Sequence, residues 1–126
     1  MTLRCTGHYE STDCHARNVA RTDSASRVIH AGRARVFAAL VDADALVRWL
    51  PPSGMSGRFE RFDAPPGGSY RLVLSYKDSS PGSGKATTDS DIVEARFVDV
   101  VPNVRLVQAV DFVTYDPAFI GTMVMT

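Results

Sequence analysis

The chain has 126 residues, 44% of them apolar and 22% charged, and its 14 lysines and arginines are balanced by 14 aspartates and glutamates. That length suits one domain around one core, and the composition is far from that of a disordered or membrane-embedded chain. With no net charge there is no broad field to gather phosphates or anionic lipids, which argues against nucleic acid and membrane surfaces as partners.

Residues 1–23 are polar, poor in large aliphatics and without helical or strand periodicity, so they are expected to form a poorly structured leader to a domain spanning 24–126. Their first fifteen residues offer no apolar core for a signal peptide, and no later run approaches the roughly 20 residues of a bilayer span. A cytoplasmic location is the expectation. The only cysteines, Cys5 and Cys14, both fall in the leader, which excludes a disulfide framework for the core.

Ser26–His30 reads as a short strand. Arg33–Val41 follows with Val36, Phe37, Leu40 and Val41 at helical spacing, and Asp42 can cap a second short helix, with Leu46, Val47 and Leu50 on one side, that Pro51-Pro52 must end. From there the period is two. Met55–Phe62 is a strand closed by the turn residues 64–68, and Ser69–Tyr76 alternates with Tyr70, Leu72, Leu74 and Tyr76 on one face. The Gly, Ser and Pro of 77–85 predict a flexible hairpin loop, and Asp91–Val101 resumes the sheet with Val93, Ala95 and Phe97 in phase. Pro102-Asn103 turns the chain. Val104–Val113 sets Leu106, Gln108, Val110 and Phe112 on one face, Asp116-Pro117 interrupts, and Gly121–Thr126 begins a last strand, expected to leave Thr126 at an unpaired sheet edge. One strand, two short helices in a V and a five-strand antiparallel meander make an α+β architecture whose apolar face two short helices cannot fully cover.

In this order several segments resemble the START-like (SRPBCC) superfamily, in its branch of heat-shock-protein ATPase activator homologues, often described as polyketide-cyclase-like. The segments are Arg27-Val28-Ile29, the helix 34–40, the acidic-to-tryptophan stretch 42–49, Phe62-Asp63 with the glycine-glycine-aromatic turn 66–71, and the proline-centred turn within 98–107. The resemblance implies a helix-grip fold that holds a small hydrophobic molecule between sheet and helices. It also implies a further strand and a long carboxy-terminal helix beyond Gly121, so this chain reads as a helix-grip domain with that C-terminal helix missing and the leader as a mis-assigned start.

The remaining chemistry is thin. Cys5, His8, Cys14 and His15 are zinc-ligand types, but C-x2-H-x5-C-H matches no usual ligand spacing. His30 could titrate near neutrality, yet lacks an assured carboxylate to orient it as a base. Asp42-x-Asp44 and Asp89-x-Asp91 are better read as a helix cap and a hairpin loop than as metal sites. No cysteine nucleophile, phosphate cradle or serine elbow lies in the strands, so no catalytic residue, metal or cofactor is assigned. Trp49, at the junction of second helix and sheet, with Tyr70, Leu72, Leu74, Tyr76, Gln108, Val110, Phe112 and Met123, forms the expected pocket wall. The expected function is binding of a small hydrophobic molecule. The alternatives are a chaperone ATPase-regulating module with a role in stress response, and a polyketide cyclase or hydrolase using His30, Asp111 and Tyr70. A chaperone and self-association through the uncovered sheet are the protein partners to be expected.

Overall fold

The computed structural model describes residues 2–11, 21–77 and 90–126, and of residues 2–11, 21 and 118 only the backbone. The elements are strands β1 (Thr2–Ser11) and β2 (Arg21–Val28), helices α1 (Arg33–Val41) and α2 (Ala43–Trp49), and strands β3 (Met55–Phe62), β4 (Ser69–Tyr76), β5 (Ser90–Val101), β6 (Arg105–Phe112) and β7 (Gly121–Met125). A 3-10 turn, Pro117–Phe119, precedes β7. The expected α+β helix-grip arrangement of two helices and a five-strand meander is present, as β3 to β7.

The seven strands form one antiparallel sheet in the order β2-β1-β7-β6-β5-β4-β3. The leader therefore departs from the expectation over Thr2–Ser11. Its side chains lack the apolar alternation that marks a strand, but its backbone groups complete the ladder that β7 would otherwise leave open, with Tyr9 opposite Met123 and Gly7 opposite Met125. It also extends β2 upstream of the expected start at Ser26, pairing Arg21–Val28 along Thr2–Tyr9. The last strand is consequently interior and not an edge, and β2 and β3 bound the sheet. Cys14 and His15 lie outside the described residues, as does 78–85, most of the loop expected to be flexible.

The two helices carry the chain across from β2, at one edge of the sheet, to β3 at the other. Asp42 caps α2 as its sequence suggests, its Oδ2 accepting from the Ala45 N–H at 2.9 Å, and Leu46 is the side chain that α2 buries. Of the sheet, α2 packs against β3. Phe37, Leu40 and Val41 of α1, together with Leu50, close on a core of Met55, Tyr70, Leu72, Leu74, Val93, Ala95, Phe97, Leu106 and Val110. The turn between β5 and β6 is closed by the Val104 N–H to the Val101 carbonyl at 3.0 Å, with Asn103 at φ 61°, a left-handed conformation that asparagine tolerates.

Two irregularities set which side chains face inward. The register of β3 against β4 shifts between Phe59 and Arg61, so that Phe59 stands opposite Leu72 and Phe62, three residues on, stands opposite Tyr70. The register of β5 against β6 shifts between Phe97 and Asp99, leaving Phe97 buried and Val98 61% exposed. A bulge inserts one residue into a period of two; in β3 it brings Phe62 onto the face of Phe59, and in β5 it follows Phe97, which is in phase with Val93 and Ala95.

Candidate functional site

Cross-strand register gathers the expected pocket residues on one face. Leu72 pairs with Val93 and Tyr70 with Ala95 between β4 and β5; Val93 pairs with Phe112, Ala95 with Val110 and Phe97 with Gln108 between β5 and β6. Gln108 pairs with Met125 and Val110 with Met123 between β6 and β7. Because paired residues share a face, Tyr70, Leu72, Leu74, Tyr76, Gln108, Val110, Phe112 and Met123 lie on one surface. Leu72, Leu74 and Val110 are its buried floor, whereas Tyr76, Gln108, Phe112 and Met123 are half-buried and form its accessible part.

Beside Gln108 the floor is aromatic. Phe59 meets Tyr70 edge-on at 5.3 Å between ring centroids, Phe62 stacks on Tyr70 at 5.9 Å, and Phe97 meets Tyr70 at 5.7 Å. Into this apolar surround Tyr70, 4% exposed, directs a hydroxyl that donates to Gln108 Oε1 at 3.0 Å. Burial pushes the Tyr70 hydroxyl up to about 12, since the phenolate would lose its hydration there. At neutral pH the pair is a neutral hydrogen-bonding element in an otherwise apolar wall, and the Gln108 amide N–H groups are two further donors beside it. At the far end of the strip the Tyr76 hydroxyl lies 3.4 Å from Asp91 Oδ2.

Three readings of the sequence change at this point. Trp49 is not on the sheet face: 49% exposed, it stands on α2 with its Nε1–H donating to the Ala39 carbonyl of α1 at 3.0 Å. Asp91 is not a hairpin-loop residue; it is the second residue of β5 and only 3% exposed, on the same face as Leu74, its register partner. Phe59, Phe62 and Phe97 join the wall: Phe97 is already in phase with Val93 and Ala95, and Phe59 with Met55, whereas Phe62 reaches this face through the bulge between Phe59 and Arg61. Asp89, the first half of the acidic pair, lies outside the described residues.

The groups weighed for catalysis do not converge. His30 is exposed in the link between β2 and α1. Asp111 pairs in register with Glu94 and Thr122 on the opposite face of the sheet from Tyr70, and it accepts from the Thr122 hydroxyl at 2.5 Å. That opposite face is polar in its centre, where Arg71 bridges Glu94 at 2.6 Å and Glu60 at 2.9 Å. Its hydrogen bond to Glu94, aided by Glu60, holds the Arg71 guanidinium above its ordinary range. Among the described residues no group of three or more His, Cys, Asp or Glu side chains is placed to hold a metal ion, and no helix is long and apolar enough to cross a membrane.

The family model described as Activator of Hsp90 ATPase homolog 1-like protein matches residues 30–126. A crystal structure of protein CV1439 from Chromobacterium violaceum is similar at 23% identity with a TM-score of 0.58, covering 99% of this chain and 75% of that one. At that identity the likeness speaks for the fold alone. No curated protein matches the chain.

Proposed function

The chain belongs to the Activator of Hsp90 ATPase homolog 1-like family, and on that premise we propose that it binds a small hydrophobic molecule against the inner face of its sheet. The observation that carries this reading is the Tyr70–Gln108 hydrogen bond at 3.0 Å, set at the border between an aromatic cluster around the buried Tyr70 and Phe97 and the half-buried Phe112, Met123 and Met125. Apolar area recruits a ligand with a gain of about 25 cal/mol per Å2 removed from water. One or two fixed polar groups then choose its orientation. An inward amide beside Tyr70 suits a flat, mostly apolar molecule bearing a carbonyl or hydroxyl, which is the chemistry of a flavonoid or an aromatic polyketide.

The test is a calorimetric titration with naringenin as a flavonoid probe. Saturable binding that Gln108→Leu weakens about fivefold or more, the worth of one lost hydrogen bond of about 1 kcal/mol, is the expected result. Absence of saturable binding by naringenin and by a panel of aromatic polyketides would overturn the reading.

The family's description supports a second reading, contact with a chaperone ATPase. A purified Hsp90-type ATPase assayed with and without the chain separates the two, because ligand capture by itself predicts an unchanged ATPase rate.

A further inference from the structure

A concavity lies on the helical side of the molecule and includes neither Tyr70, Gln108 nor the phenylalanines around them. It encloses about 300 Å3 between Ile29 and Ala31 in the link after β2, Val36, Ala39 and Leu40 along α1, and Trp49 on α2. That is the lower end of the roughly 300–1,000 Å3 that small-molecule pockets occupy. Its aliphatic floor follows from helical spacing, since positions 36, 39 and 40 fall on one side of α1. Its wall is held in place by the hydrogen bond from Trp49 Nε1 to the Ala39 carbonyl at 3.0 Å, which satisfies the indole N–H and leaves the ring half-exposed as an apolar surface.

Arg35 completes the lining. Its backbone N–H is held by the Gly32 carbonyl at 3.1 Å, but its solvent-exposed side chain has no hydrogen bond or ion pair among the described residues, so its stem can border the cleft with the guanidinium turned to water. The neighbouring start of α1 has the same sign: its first turn contains no acidic residue and Gly32 provides no side-chain cap. An apolar cleft bordered by a cation whose side chain has no partner among the described residues is complementary to a molecule with an apolar body and one anionic end.

We propose that this cleft binds a small amphipathic carboxylate, of the kind of a medium-chain fatty acid, with its tail against Val36, Ala39, Leu40 and Trp49 and its carboxylate on Arg35. The site is lined by no residue of the sheet, although Leu40 also packs on the core, and its proposal does not depend on ligand binding at the sheet face. Trp49 is the sole tryptophan of the chain, so its emission reports on this cleft directly.

The experiment titrates octanoate, and octan-1-ol as its uncharged counterpart, into the full chain and follows Trp49 fluorescence. Octanoate should give a saturable blue shift and bind about fivefold more tightly than octan-1-ol, the upper range for one solvent-exposed ion pair. Arg35→Leu should remove that preference and leave octan-1-ol binding intact. Ala39→Phe should block both ligands, and Gln108→Leu should change neither. Should Ala39→Phe fail to fold by circular dichroism, the Arg35→Leu comparison decides alone. No saturable change at Trp49, equal affinities that Arg35→Leu leaves unaltered, or a response abolished by Gln108→Leu would each overturn the proposal.

Discussion

Tyr70 and Gln108 can be separated from their surroundings by a double-mutant cycle. Gln108→Leu leaves the Tyr70 hydroxyl, in a residue 4% exposed, without the acceptor it now reaches at 3.0 Å. An unsatisfied buried donor costs about 1–3 kcal/mol. Tyr70→Phe removes the donor and frees an amide oxygen on a half-buried side chain that water can reach, which predicts a smaller loss of about 0.5–1.5 kcal/mol. In the double variant neither polar partner remains, so the combined loss should fall short of the sum by about 1 kcal/mol. Urea unfolding with a constant m-value provides the free energies. Strict additivity, or a larger loss from Tyr70→Phe than from Gln108→Leu, would refute the view that one hydrogen bond joins these groups in an apolar setting.

The same hydroxyl predicts a pH dependence. Burial raises its folded-state pKa from 10.0 to about 12, so the folded chain keeps a proton that the unfolded chain releases. The resulting stability is complete below pH about 10 and lost as the pH rises toward about 12, amounting to about 3 kcal/mol at 1.36 kcal/mol per unit; Tyr70→Phe should flatten the unfolding midpoint over that window. Leu72→Ala, at a residue 1% exposed in the centre of β4, should cost about 2–5 kcal/mol in urea unfolding. Asp42→Ala removes the Oδ2 that accepts the Ala45 N–H and should cost about 1 kcal/mol, recovered in large part by Asp42→Asn. At Gly68 an added Cβ would run into the Asp63 carbonyl oxygen and stand 2.6 Å from that of Ala64, both backbone atoms, so Gly68→Ala should lower stability by more than the roughly 1 kcal/mol of an average substitution.

Much of this architecture is legible in the chain because its signals are local. The 3.6-residue spacing of Val36, Phe37 and Leu40, the cap at Asp42 and the stop at Pro51-Pro52 define two helices without reference to the rest of the molecule. Strict alternation through Tyr70, Leu72, Leu74 and Tyr76 likewise assigns a face. What escapes the sequence is non-local. Thr2–Ser11 is a strand because β7 and β2 offer their backbones to it, and a polar segment recruited by backbone pairing leaves no apolar period to detect. The inward turn of Phe62 depends on the bulge after Phe59, visible only once the partner strand is known. Trp49 sits after an amphipathic run that ends against the sheet, which suggested the sheet face, but its indole N–H is satisfied by the Ala39 carbonyl and the ring turns toward α1. Asp91 begins the strand that the sequence resumes after the hairpin loop, but the acidic pair with Asp89 favours an exposed position, and only its pairing opposite Leu74 reveals that it is buried.

The claim that the inner sheet face receives a small hydrophobic molecule is tested most directly by methyl NMR of the methionines during a naringenin titration. Met123 lies half-buried opposite Val110 on that face, whereas Met55 is buried on β3 beneath the helices. The account predicts a saturable shift of the Met123 and Met125 methyl signals, a smaller one at Met55, and in Gln108→Leu the same shifts with a midpoint at about fivefold higher naringenin, the worth of about 1 kcal/mol. Methyl signals that stay unmoved to the solubility limit of naringenin and of an aromatic polyketide panel, or that move with an unchanged midpoint in Gln108→Leu, would contradict it.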